Sequence, residues 1–193
     1  MSSPQKGKGP RIWVVLTFGT KTDYGTEYAD KTRESYDYDS NIPNYTLVHP
    51  GDVMIVCDKQ DVIGAARIDR IDPRPGSKQF RRCPHCNTTA ITQRTRKAPQ
   101  YRCKKCKREF EVPDLNWAAC TLFTAYFGQS FVECKSHPPR SLLRPGCPKY
   151  NDRHAMRSFD LPSVADSLAG QATDLYDVLR RLLKCDETLS PRK

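Results

Sequence analysis

The sequence predicts a mainly β chain of the α+β class, with a small four-cysteine lobe inserted into it and helices near its C-terminal end. Short apolar and β-branched runs, interrupted by Gly, Pro and Asp, occur at residues 11–18 and 45–71. Two Cys-x-x-Cys pairs follow between residues 83 and 106, and apolar residues at helical spacing appear only after residue 161. We expect a disordered start at 1–10, a β domain at 11–160 with an insertion at 78–112, and a helical segment at 161–193.

The clearest β signal is a hairpin. A His-Pro-Gly-Asp turn at 49–52 precedes a strand at 53–57, and residues 58–61 have the composition of a tight hairpin turn. Residues 62–71 form the predicted return strand. Gly64 within that strand permits a bulge or the close approach of another backbone.

The rest of the chain is predicted from similar local signals. The run at 11–18 is a further buried strand, and the apolar and aromatic residues at 115–131 predict a strand-rich core. Three polar or Pro-rich stretches are predicted as loops or connections, at 19–43, 72–79 and 137–152. Apolar spacing between Val164 and Leu183 predicts two helices that are hinged at Gly170.

The two cysteine pairs have sixteen residues between them. Each Cys-x-x-Cys turn presents two thiolates, and two such knuckles supply the four soft ligands that Zn²⁺ prefers. The spacing predicts one structural zinc ion, closed to catalysis because it has no open coordination position. Two disulfides are the alternative. The number of cysteines, nine, is odd, and the sequence lacks a signal peptide, so a reducing interior is favoured over an oxidising compartment. The predicted ligands are Cys83, Cys86, Cys103 and Cys106, whereas Cys57, Cys120 and Cys134 are predicted to be buried thiols.

Basic charge is concentrated around these cysteines. Residues 78–108 contain eleven of the 32 Lys and Arg residues of the chain and none of its 22 Asp and Glu residues. This lobe predicts binding to a polyanion, most simply nucleic acid, and a solvated basic face without a partner is the alternative. The candidate phosphate-binding residues are Arg81, Arg82, Arg94, Arg96, Lys97, Arg102, Lys104 and Lys105.

Motifs for catalysis are missing from the sequence. It has no Gly-x-Ser-x-Gly element, P-loop or dinucleotide fingerprint, and its four histidines are scattered. No apolar run approaches the length of a membrane span. We therefore expect a binding protein rather than an enzyme.

Tyrosines and carboxylates are unusually frequent between residues 24 and 39. Tyrosine rings offer stacking faces, and carboxylates accept hydrogen bonds from an exocyclic amine such as cytosine N4. We place a candidate base pocket between the 24–38 loop and the 117–127 segment. The alternative is that the tyrosines pack this loop onto the body of the protein. The candidate pocket residues are Tyr24, Tyr28, Tyr36, Tyr38, Asp39, Asn44 and Trp117.

Three short stretches resemble the PUA-like superfamily, which includes the PUA, ASCH, EVE, YTH and SRA domains. They are Tyr36-Asp37-Tyr38-Asp39 with Pro43-Asn44, Pro50-Gly51-Asp52-Val53, and Val62-Ile63-Gly64-Ala65. With a ribbon inserted after the hairpin, residues 13–160 look like the N-terminal reader domains of bacterial modification-dependent HNH endonucleases.

That resemblance implies a curved β-barrel that binds DNA and reads 5-methylcytosine or 5-hydroxymethylcytosine, flipped into an aromatic pocket. This chain carries no HNH nuclease domain. We therefore expect either the specificity part of a restriction endonuclease or a stand-alone reader, in the bacterial cytoplasm with the nucleoid. Three alternatives stay open: an RNA-binding module of the same fold, a zinc-ribbon module that docks an acidic protein, and an unrecognised nuclease.

Overall fold

Within the described residues, which are 9–17, 31–148, 150 and 154–184, the computed structural model of the chain has eleven β-strands and two α-helices. The predicted α+β class, with many strands and helices near the C-terminus, is confirmed. The strands are β1 (Ile12–Leu16), β2 (Ser35–Asp39), β3 (Val53–Cys57), β4 (Val62–Arg67), β5 (Arg70–Arg82), β6 (Ile91–Gln93), β7 (Tyr101–Cys103), β8 (Glu109–Phe110), β9 (Asp114–Tyr126), β10 (Val132–Glu133) and β11 (Met156–Phe159), and the helices are α1 (Ala165–Gln171) and α2 (Thr173–Lys184).

The chain divides into two compact units, and each is described by itself. The described residues of the first unit lie within 9–17, 31–74 and 122–184, and those of the second are 75–121. The unit boundaries fall within β5 and β9, each of which is thirteen residues long. The predicted insertion at 78–112 lies inside the second unit, whose own sheet has the order β6-β7-β8.

The larger sheet of the first unit is open and has the order β10-β4-β3-β1-β11. β1 runs parallel to β3, with Ile12 opposite Val53, whereas β1 and β11, β3 and β4, and β4 and β10 pair in antiparallel fashion. A further sheet has the order β2-β9-β5, in which β2 pairs with residues 122–126 of β9.

Both faces of the central strands are buried, which explains their continuous apolar sequences. On one face, Ile12 of β1 and Ile55 of β3 belong to the same buried cluster as Leu175 and Leu179 of α2. On the opposite face, the intervening residues of both strands share a second buried cluster with β2 and β9. The members of this second cluster include Trp13, Val15, Met54, Val56, Tyr36, Tyr38 and Ala125.

Asp52 is buried, and its carboxylate joins three separate points of the first unit. Oδ1 accepts a hydrogen bond from the backbone N–H of Arg11 at 3.0 Å. Oδ2 accepts one from the indole N–H of Trp13 at 2.8 Å and one from the backbone N–H of His49 at 3.1 Å. Burial, with the charge of Asp52 adding to the effect, raises the pKa of Tyr38 to about 12.

The predicted hairpin is confirmed in most of its details. In the turn at 49–52, Gly51 has a φ of 92° and the Asp52 N–H donates to the His49 carbonyl at 3.1 Å. At the hairpin turn, Asp58 Oδ1 accepts hydrogen bonds from two backbone N–H groups, each at 2.7 Å. The return strand is shorter than predicted, because β4 ends at Arg67.

Gly64 is the predicted point of close approach. A Cβ at this position would lie 2.5 Å from the Val132 carbonyl oxygen and 3.1 Å from Glu133 Cα. Both of those residues belong to β10, the edge strand that pairs with β4. Because Gly64 has no side chain, β10 can lie against the hairpin.

Two stretches predicted as irregular are strands. Within the predicted 19–43 loop, residues 35–39 form β2, and all five of them are buried. Tyr36 and Tyr38 belong to one face of β2, the polar residues between and beside them belong to the other, and both faces are buried. Because one of these faces is polar, the composition alone does not indicate a buried strand. The predicted connection at 72–79 lies within β5, although it contains Pro73 and Pro75. β5 is the last strand in the order β2-β9-β5, and an edge strand tolerates proline because one side needs no ladder hydrogen bonds.

The C-terminal region contains the two predicted helices. The break between α1 and α2 falls at Ala172, two residues after the predicted hinge at Gly170. The predicted 137–152 loop contains a 3₁₀ segment at Arg140–Gly146. Among the described residues, no helix is both long and apolar enough to cross a bilayer.

Thiols outside the inserted lobe lie mostly in the core. Cys57 and Cys134 are buried as predicted, and Cys147 is buried in the same cluster. The prediction for Cys120 is wrong, because this thiol on β9 is only partly buried.

Replacing Asp52 with alanine should lower the free energy of unfolding by about 3 kcal/mol, because three N–H donors then lose a charged, buried acceptor. Chemical denaturation followed by near-ultraviolet circular dichroism of Trp13 measures this loss. Asp177→Ala, on an exposed position of α2, is the matched control and should change stability by less than about 0.5 kcal/mol. Equal stability of the two variants would show that the Asp52 carboxylate does not hold this region together.

Candidate metal centre and basic surface

Four cysteine sulfurs meet in the second unit. Their Sγ atoms all lie within 4.8 Å of one another, with 3.7 Å between Cys83 and Cys106 and 3.6 Å between Cys86 and Cys103. A disulfide needs a sulfur–sulfur distance of about 2.0 Å, so these are four separate thiols. A tetrahedral ion with metal–sulfur bonds of about 2.3 Å separates its ligands by about 3.8 Å, which fits these distances. The four cysteines could therefore hold one metal ion.

The two knuckles have the same backbone design. In each, the N–H of the first cysteine donates to the carbonyl five positions later: Cys83 to Thr88 and Cys103 to Arg108, both at 2.9 Å. The residue after the second cysteine has a positive φ, 56° at Asn87 and 64° at Lys107. A left-handed residue at this point turns the chain sharply, so each pair of sulfurs faces the other pair.

Hydrogen bonds to sulfur prepare the second knuckle for a cation. The backbone N–H groups of Lys105 and Cys106 both donate to Cys103 Sγ at 3.3 Å. Burial alone would raise the pKa of the Cys103 thiol, but these N–H donors, together with hydrogen bonds from the thiols of Cys106 and Cys86, outweigh it and the pKa falls to about 6. The pKa of Cys106 shifts in the opposite direction. The N–H of Arg108 lowers its pKa, but burial and the other three sulfurs raise it to about 11.

The apolar core of the lobe is very small. Its buried cluster consists of Cys83, Cys103, Tyr101 and Phe110, with Ile91 partly buried against it. The Tyr101 and Phe110 rings stack with centroids 5.9 Å apart. A core of this size buries too little apolar surface to order a lobe by itself, which is the situation in which small domains depend on a metal.

Basic side chains surround this centre, and the structure divides the predicted set. The side chains of Arg96, Lys97, Arg102, Lys104 and Lys105 are exposed, as are those of Lys107 and Arg108. Arg81, Arg82 and Arg94 are partly buried. The Arg82 guanidinium donates to the Asn87 carbonyl in the first knuckle at 2.8 Å, so this residue supports the metal-binding turn.

Arg94 also has a structural role. Its Nε donates to the Pro99 carbonyl at 3.1 Å, another guanidinium nitrogen donates to the same oxygen, and Nη1 contacts Glu109 at 2.6 Å. The hydrogen bond from Arg94 lowers the pKa of Glu109, so this carboxyl stays ionised and balances the Arg94 charge. Arg94 therefore closes the 94–100 loop, and sequence spacing alone could not reveal this pairing.

The candidate base-pocket residues do not form one observed site. Tyr24 and Tyr28 lie outside the described residues. Tyr36 and Tyr38 are 3% and 1% exposed, and Tyr38 stacks on Phe123 with ring centroids 5.1 Å apart. Both rings therefore pack into the core of the first unit, as the packing alternative describes.

The two candidate base-reading side chains have local roles in the first unit. Asp39 is fully buried, and its Oδ1 accepts a hydrogen bond from the Asn41 N–H at 2.6 Å. Asn44 has a φ of 72° and precedes the 3₁₀ segment at Tyr45–Leu47. The last candidate, Trp117, belongs to the second unit, where its side chain is 54% exposed.

Exposure along the first part of β9 was not predicted. The sequence predicts core for residues 115–131, but Leu115 and Trp117 are both exposed. Val112, two residues before β9, is exposed as well. The alternation of apolar Leu115 and Trp117 with polar Asp114 and Asn116 correctly indicates a strand with one apolar face. Alternation does not indicate whether another element covers that face.

Comparisons with protein-family models, with curated proteins and with solved structures find no match to this chain.

Removal of the metal should unfold the second unit. We expect one metal ion per chain by elemental analysis, and its loss in Cys103→Ser or after chelation should make residues 75–121 sensitive to protease. A structural ion supplies about 10 kcal/mol or more of apparent folding free energy, so the loss should be nearly complete. Metal affinity should also fall in acid, because protons compete for the thiolates.

Cys120→Ser is the control, since this thiol lies in the same unit but outside the cluster. It should retain the metal and the protease resistance of the native chain. A Cys103→Ser protein with unchanged metal content and cleavage pattern would rule out a role for this sulfur as a ligand.

Proposed function

We propose that this chain is a nucleic-acid-binding protein whose second unit binds the phosphate backbone. The observation that carries the proposal is the concentration of basic side chains on a lobe of 47 residues, 75–121, which has eleven Lys and Arg, seven of them exposed, and three Asp and Glu. Six or more phosphate contacts from such a surface would account for most of the affinity and would make it strongly salt-dependent.

We propose that the ion held by the four cysteines is zinc in a structural role. Four thiolates in a tetrahedron are the donor set typical of structural zinc, and all four coordination positions are then filled by protein. The ion would fix the two knuckles that present Lys104 and Lys105. Nothing in this role requires the ion to contact a substrate.

For specificity we propose recognition of modified cytosine in DNA, in a PUA-like domain formed by the first unit. The resemblance to modification-dependent readers supports this, together with the observed order of turn, β3 and β4 that it rests on. Tyr36 and Tyr38 belong to the core of the first unit, so the stacking partners of a flipped base in this domain would be other side chains. A nuclease domain on the same or another chain would supply the cleavage of a restriction system.

A binding titration tests this specificity. Matched duplexes carrying cytosine, 5-methylcytosine or 5-hydroxymethylcytosine should be compared at one physiological salt concentration, with an RNA duplex of the same sequence. We expect at least a tenfold preference for one modified DNA duplex, about 1.4 kcal/mol. Equal binding to all three DNA duplexes would remove modified cytosine from the proposal, and tighter binding to the RNA would make the chain an RNA-binding module.

A charge-removal experiment tests the phosphate-binding surface. The double variant Lys104→Ala with Lys105→Ala should weaken binding to every DNA duplex and reduce the slope of log affinity against log salt by about 2. Backbone hydrogen bonds to Cys103 Sγ do not involve these side chains, so metal content should stay constant and must be measured.

The matched control removes two exposed lysines of the first unit, Lys135 and Lys184. It should leave the salt slope close to that of the native chain. If both double variants have the same effect, the charge acts through the whole protein and not through the second unit. If neither variant has any effect, the basic lobe is not the phosphate-binding surface.

A further inference from the structure

Large apolar side chains are exposed to solvent at one place in the second unit. Among the described residues, four large apolar side chains are exposed, and three of them are Val112, Leu115 and Trp117, at 74%, 57% and 54%. The fourth, Leu47, belongs to the first unit. Exposing an indole costs free energy that burial would recover, so an exposed cluster of this kind marks a binding surface more often than an isolated apolar residue does.

The strand geometry aligns two of these side chains. Leu115 and Trp117 are two positions apart on β9, so both side chains project from the same face of the strand, about 7 Å apart. Ala119, the next residue on that face, is exposed and small. Along this face the indole therefore lies between the aliphatic side chain of Leu115 and the small side chain of Ala119, which covers little of the ring.

The charge of the second unit determines which kind of partner fits this face. With eleven basic and three acidic residues at 75–121, the lobe attracts anions and repels basic peptides. Membrane insertion would need a larger apolar face, and here the polar residues Asp114 and Asn116 alternate with the apolar ones. The three acidic residues of the lobe lie at 109–114, next to this face in sequence, but β5, the strand that is hydrogen-bonded to β9, carries Lys78, Arg81 and Arg82. An exposed aromatic ring with positive charge on the neighbouring strand is instead the combination that binds unpaired nucleobases, by stacking on the ring and by phosphate contacts.

We propose that Trp117, flanked by Leu115, is a stacking platform for an unpaired nucleobase. The proposal rests on the nucleic-acid-binding function above and adds that the bound nucleic acid is single-stranded or contains an unpaired base. The bases of a regular duplex already stack on one another, and their faces are inaccessible to the indole. A single strand, or a base that has left the helix, presents a free face. The chain should therefore bind a single strand more tightly than a duplex of equal length.

The two tryptophans of the chain make this proposal directly measurable. Trp13 is 1% exposed and its indole N–H is bonded to Asp52, whereas Trp117 is open to solvent. Quenching by acrylamide should therefore act on Trp117 alone. Titration with oligothymidylate of roughly 12 nucleotides should quench the same component of the emission and protect it from acrylamide.

Two substitutions separate stacking from charge. Trp117→Ala should weaken binding to oligothymidylate about tenfold, as measured by fluorescence anisotropy of the labelled strand, and should leave binding to an unmodified, fully paired duplex within about twofold. Trp117→Phe keeps an aromatic face and should retain most of the affinity while losing the quenching signal. Leu47→Ala, at the exposed apolar residue of the first unit, should match the native chain.

Unchanged affinity of Trp117→Ala for oligothymidylate would overturn the stacking proposal, as would tighter binding to the duplex than to the single strand. A blue shift of Trp117 emission with anionic vesicles, but not with the oligonucleotide, would identify a membrane-binding face instead. Each of these results leaves the proposed function intact if the Lys104 and Lys105 variant still weakens duplex binding. If the native chain binds neither single strand nor duplex, both proposals fail together.

Discussion

The rest of the second unit would depend on one constraint, the proposed metal ion that holds together four sulfur atoms lying within 4.8 Å of one another. Without that ion, the apolar core of the lobe is two stacked rings and an isoleucine, and the hydrogen bonds of Arg82, Arg94 and the three short strands would have little buried surface to support them. Lys104, Lys105, Lys107 and Arg108, four of the seven exposed basic side chains of the lobe, lie on or beside the second knuckle and would then lose their fixed positions. We therefore expect metal binding and the presentation of these four charges to be coupled.

The first unit is organised differently, around a buried carboxylate and two apolar faces. Asp52 connects the start of β1 to the turn before β3, the two strands that pair in parallel at the centre of the open sheet. A parallel pair cannot be joined by a tight turn, so an interaction between distant residues must hold its register. The helices cover one face of that sheet and aromatic residues of β2 cover the other.

Features determined by local chemistry were predictable from the sequence. The four-cysteine cluster, the hairpin of β3 and β4 and the pair of C-terminal helices all follow from spacing and turn residues within short windows. Features determined by distant partners were not. β2 is a strand because β9 pairs with it, β5 tolerates its prolines because it is an edge, and Arg94 is structural because Glu109 lies beside it. Spacing also could not distinguish the buried tyrosines from the exposed Trp117.

The thiols of the two units differ in a way that has a practical use. Burial raises the pKa of Cys57, Cys134 and Cys147, and at neutral pH these sulfurs are protonated and shielded from reagents. The four sulfurs of the candidate metal centre would be protected by a bound ion, and they would become accessible to reagents when loss of the ion unfolds the second unit. Brief alkylation followed by mass spectrometry of the intact chain would therefore separate chains with an occupied centre from chains with an empty one, because an empty centre adds four adducts to those on other thiols such as the partly buried Cys120. The measurement could be made in a cell extract, before purification changes the metal occupancy.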